Sequence, residues 1–89
     1  MRAVISVVGR DTVGIIASVT KILSEQNVNV LDISQSVLQD LFAMVMLVDI
    51  SKTNMPFRQL TEALTSQGEG MGVKIHVMHE DIFTSMHRI

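Results

Sequence analysis

Three groups of residues in this sequence could do chemistry. The first is the run Gly9-Arg-Asp11-Thr12-Val13-Gly14-Ile15-Ile. An apolar stretch ends at one glycine, two charges follow, and a second glycine opens another apolar stretch. A glycine costs about 1 kcal/mol in a helix interior relative to alanine, so Gly14 in a helix's first turn needs a reason. Helix N-termini present N–H groups without intrahelical acceptors. These carry partial positive charge and suit a carboxylate, and a residue without Cβ lets one approach. Asp11 offers a carboxylate to an ammonium group, so the corner could meet both charges of an amino acid. Asn29 opens the next extended segment, expected to return close to this helix, and its amide donates and accepts at once. The plainer alternative is that Gly14 serves tight packing, Asp11 caps the helix and Asn29 shapes a turn.

The second group is His76, His79 and His87, with Glu80 and Asp81 nearby. His76 and His79 fall on opposite faces of an extended strand and could converge on a metal only if the strand stopped before His79. His76, His79 and Glu80 are the metal candidates, and strand-end histidines are the favoured reading. The third group, Gly68-Glu-Gly-Met-Gly72, resembles a nucleotide-cradling loop. It follows a helical pattern and precedes a strand, the reverse of the order phosphate binding needs, so a turn is expected. No serine has an evident His/Asp arrangement and no pair of acids declares itself. No enzyme, catalytic residue or cofactor is expected.

Six elements would have to position these residues. A β-branched strand is expected at about 2–9. An amphipathic helix follows at about 12–26, with Ile15, Val19 and Ile22 on one side. Asp11 or Thr12 can cap it, and Asn27 can end it in a left-handed conformation. A strand at about 28–38 alternates Val30, Asp32, Ser34 and Ser36 against Leu31, Ile33, Gln35 and Val37. Gln39-Asp40 makes a tight turn into a strand beginning at Leu41, apolar on both faces and so expected to be central and covered on both sides. Asn54 or Thr53 would cap a second helix, with Pro56 in its first turn, which Gly68 would stop. A last strand at about 72–79 carries Val73, Ile75 and Val77 on one face. A short tail helix is expected from about Asp81.

The order βαββαβ predicts an α+β ferredoxin-like sandwich, with two helices on one face of a four-stranded antiparallel sheet. Residues 1–80 would form the domain and 81–89 a tail. The sheet's other face is left uncovered, and an apolar patch there marks an interface.

Composition narrows the partners. At 89 residues and 47% apolar, the chain is globular with one core. A core this small is marginal, and without cysteine it has neither disulfide nor thiolate–zinc support. Self-association would supply the missing burial. The net charge is −2, the seven basic residues are scattered, and tyrosine and tryptophan are absent. Direct nucleic-acid binding is therefore not expected. The longest apolar run, 41–48, is too short to span a bilayer, and the N-terminus lacks a signal peptide's layout, so a cytoplasmic protein is expected. The seven methionines read as core filling rather than an adaptable binding surface.

Gly-x-Asp-x-x-Gly-Ile-Ile, then a helix, then Asn-Val-Asn-Val-Leu-Asp-Ile resembles the ACT domain over about residues 3–78. Leu-Asp-Ile-Ser-Gln and the tail His-Glu-Asp-Ile-Phe narrow the likeness to stand-alone ACT proteins related to the glycine-cleavage repressor. The resemblance implies a regulatory module that binds an amino acid or related metabolite, pairs as a homodimer and acts on a regulated protein. Its pairing would be side by side through one continuous sheet, or face to face. By position the implied site is Asp11, Gly14, Ile15 and Asn29, with Thr12 and Val13 contributing backbone. Val13 stands where many members carry proline, so this loop is less stiff. The alternative is a ligand-free interaction module that docks through its sheet face.

Overall fold

The computed structural model describes residues 1–10, 12–53 and 55–81, with the side chains of Thr12 and Val13 left out of the description. Six elements follow one another: β1 (Arg2–Gly9), α1 (Thr12–Glu25), β2 (Asn29–Leu38), β3 (Leu41–Asp49), α2 (Phe57–Met71) and β4 (Lys74–His79). The strands form one antiparallel sheet in the order β2-β3-β1-β4. This is the expected ferredoxin-like sandwich.

Alternation along the strands builds the core. Ala3, Ile5 and Val7 of β1 stand opposite Val48, Met46 and Met44 of β3, all fully buried. Ile15, Val19 and Leu23, at helical spacing on α1, pack into the same cluster, as do Leu60 and Leu64 of α2. Met44 and Met46 are among the largest fully buried side chains, so these methionines fill the core as expected.

Asn27 takes a φ of 57° and ends α1 as its type predicts. Val28 N–H returns to Leu23 O at 2.9 Å, satisfying a carbonyl of the last turn. Gln39 has φ 57° in the two-residue turn between Leu38 and Leu41, where glycine would be the unstrained choice.

Four expectations are corrected. Gly68 does not stop α2: the helix continues to Met71, and Gly72, at φ 73°, closes it by donating to Glu69 O. So Gly68–Met71 is helix rather than turn. A Cβ on Gly68 would stand 2.9 Å from Ile75 Cγ1. The glycine therefore lets α2 lie close on β4, and this tertiary need outweighs its low helix propensity.

Pro56, not Thr53, occupies the α2 cap position, without a side-chain cap hydrogen bond. Asn54 lies outside the described residues. In β2 a bulge falls between Val30 and Asp32. It puts Val30 on the helix side with Ile33, Gln35 and Val37, opposite Val48, Met46, Met44 and Phe42, so the alternation breaks at Leu31. Finally, β3 is central but is covered on one face only: Val45, on the other, remains 38% exposed. The tail expected to be helical has helical backbone at 80 and 81. Beyond that it lies outside the described residues.

Candidate functional site

The local sequence brings β1 into α1 with almost no slack. Gly9 is buried, and a Cβ there would collide with Val73 and Ile15. Gly9 is thus fixed by packing. Gly14 lies in the first turn of α1, is half-buried and has interactions of its own. Ile15 is buried in the core, so only its backbone faces the corner. Thr12 and Val13 form the first turn of α1. Asp11 lies outside the described residues.

The structure separates Asn29 from this corner. Gly9 stands opposite Phe42, and Phe42 opposite Val37. Asn29 stands opposite Asp49, and Asp49 opposite Arg2. The two groups therefore occupy opposite ends of the sheet, roughly 23 Å apart along the strand of 8 residues. A right-handed βαβ unit makes β1 and β2 parallel, so both strands start at one end while the β1–α1 corner sits at the other. That signal was available from element order alone.

Asn29 lines a different feature, an open groove of about 470 Å³ shared with Ser24, Asn27, Val28 and Lys52. Sequence reading missed Lys52. It sits in the turn after β3, which ends where β2 begins, so topology again carried the information. Beside the groove, Asp49 Oδ1 accepts Ser51 N–H at 2.9 Å and Ser51 Oγ–H at 2.7 Å. These two bonds, the hydroxyl first, hold its carboxyl below the ordinary 3.8. The N-terminal amine approaches the same carboxylate at 3.9 Å.

The histidines do not gather. His76 pairs with Ser6 on the open face, and His79 with Ala3 on the helix side. His79 Nδ1 accepts Asp81 N–H at 3.2 Å and so ties the strand end to the turn that follows. Glu80 is engaged with Arg2 at 2.6 Å. Among the described residues no three metal-binding side chains come together, and His87 lies outside them. A second groove, about 430 Å³, runs between α2 and β4, lined in part by Thr65, Glu69, Lys74 and His76. Among the described residues no helix is long and apolar enough to cross a membrane.

The edge strand between the two ends is bare. All of β2 except Val30 is exposed, including Ile33 and Val37 on the helix side and Leu38 on the other. Beyond the shelter of α1, Val37 is 62% exposed. The β2 edge can therefore take another strand, and its apolar side chains would gain from being covered.

Comparison with known proteins gives one answer on family. The model of the ACT domain family matches residues 2–78. A UPF0237 protein of Methanocaldococcus jannaschii is 52% identical over 88 residues, covering 99% of this chain and 98% of that protein. An ACT domain protein from Streptococcus pneumoniae superposes with a TM-score of 0.80 at 37% identity, covering 93% of each chain. A structure described as a glycine cleavage system transcriptional repressor superposes with a TM-score of 0.73, covering 85% of this chain and 44% of that one. At 13% identity this last likeness is one of fold.

Proposed function

Because the chain belongs to the ACT domain family, we propose that it is a regulatory module that binds an amino acid or related metabolite as a homodimer. What supports this reading is that Asn29 and the β1–α1 corner lie at opposite ends of a sheet whose β2 edge is bare. A two-fold axis through the middle of β2 pairs it with its copy in antiparallel register. The same operation sets α1 beside its copy, also antiparallel. Asn29 of one protomer then meets the Thr12–Ile15 corner of the other. Asp11 takes the ammonium of the ligand, the first-turn backbone at Gly14 and Ile15 its carboxylate, and the partner's Asn29 orients it. A ligand held by both protomers stabilises the pair over the free chains and so shifts the assembly. The protein controlled by that shift recognises the assembled state.

Thermal-shift screening of the intact protein against the twenty amino acids tests this. At least one compound raises Tm. Gly14→Leu and Asn29→Ala each remove the response while the unliganded fold persists by circular dichroism. If no compound moves Tm, the sensor reading is overturned. The open face of the sheet, with Val8, Leu41 and Val45 exposed, then favours the alternative of a ligand-free interaction module.

A further inference from the structure

We infer that Lys52 reads the ligand's side chain, and that the ligand class is an amino acid or metabolite carrying an additional acidic group. The inference rests on the amino-acid reading above and adds which amino acids. Asn29, assigned there to orient the ligand, shares its groove with Ser24, Asn27, Val28 and Lys52. Asn29 and Lys52 therefore border one groove. These five lining residues carry one charge, and it is positive.

Lys52 is exposed and makes no ion pair among the described residues. Its charge does act on Asp49, the carboxylate beside the groove, but as the smallest of the influences that lower that group, behind the two Ser51 hydrogen bonds. The carboxamides of Asn27 and Asn29 supply further N–H donors, and the left-handed backbone at Asn27 fixes where that side chain starts. An ammonium that shares a groove with amide donors favours a carboxylate over a neutral amide, whose carbonyl accepts a hydrogen bond but carries no charge. The volume, about 470 Å³, falls in the range of small-molecule sites.

The groove is open, so the discrimination is modest. An exposed pair of this kind distinguishes an acid from its amide by about 1.5- to 5-fold, and salt weakens it. Calorimetry on the intact protein with L-aspartate, L-glutamate, L-asparagine and L-glutamine reads this directly. The acids bind about 1.5- to 5-fold tighter than their amides. Lys52→Met brings the two classes level by weakening the acids alone, and Lys52→Arg keeps most of the preference. If amides bind wild type as well as acids do, or Lys52→Met keeps the preference, the assignment of Lys52 fails while the amino-acid reading stands. If none of the twenty amino acids binds, both fall together.

Discussion

The sheet has two edges, and they are built differently. The β4 edge is short, at 6 residues. It carries exposed Lys74 and His76, and α2 lies close against it through Gly68. Its end is tied off by the His79–Asp81 contact and the Arg2–Glu80 ion pair. The β2 edge is 10 residues long, and its one charged side chain is Asp32. No proline interrupts it and no lysine blunts it. Charge, brevity and a covering helix are the means by which a sheet protects an edge from pairing. β4 has charge and brevity, whereas β2 is long, with a single charge and a bulge near its start. The difference supports the proposed pairing through β2 rather than through β4.

The sharpest way to break this contrast is to give β2 what β4 has. Ile33→Lys with Val37→Lys places two ammonium groups on the exposed helix side of the edge. The expected outcome is a dimer weakened by about 100-fold or more, a loss of roughly 3 kcal/mol, read as a halved mass by light scattering at micromolar protein. An unchanged mass would move the interface to the open sheet face.

A smaller effect is expected on the other edge. Gly68→Ala forces a methyl against Ile75 and the Val73 carbonyl, 3.1 Å from the Cβ position. Overpacking of this kind costs about 1–3 kcal/mol. If pairing runs through β2 as proposed, denaturant titration should show the loss while the mass in light scattering stays unchanged.

The smallest effect is one of pH. The carboxyl of Asp49 is held below its ordinary value, chiefly by Ser51. A depressed carboxylate contributes stability above its unfolded pKa of 3.8 and loses it as pH falls through the folded value. Asp49→Asn should therefore shallow the acid limb of the stability–pH profile and leave the alkaline limb unchanged. An identical acid limb would show that Asp49 retains its ordinary pKa.

The contrast between the edges could not be read from the chain alone. Ile33 and Val37 look like core residues by type and alternation. They are exposed, at 43% and 62%, because β2 is an edge strand of the sheet.

What the sequence determined by itself is local. Alternation and helical spacing placed all six elements, Asn27 ended α1, and Gln39-Asp40 turned the hairpin, because each depends on a few neighbouring residues and their backbone preferences. The likeness to the ACT family lay in the Gly9–Ile16 run together with Asn27–Ile33 and the order of the elements around them. Tertiary structure decided the rest. Gly68 reads as a helix breaker until Ile75 is placed against it, and the bulge at Leu31 exists only relative to β3. Asn29 and Gly14 look like neighbours across one helix until strand register puts a sheet's length between them, and Lys52 joins Asn29 only through the fold. These features depend on which atoms meet across the sheet. Short-range propensity carries no record of such meetings, so they took form only when the strands paired.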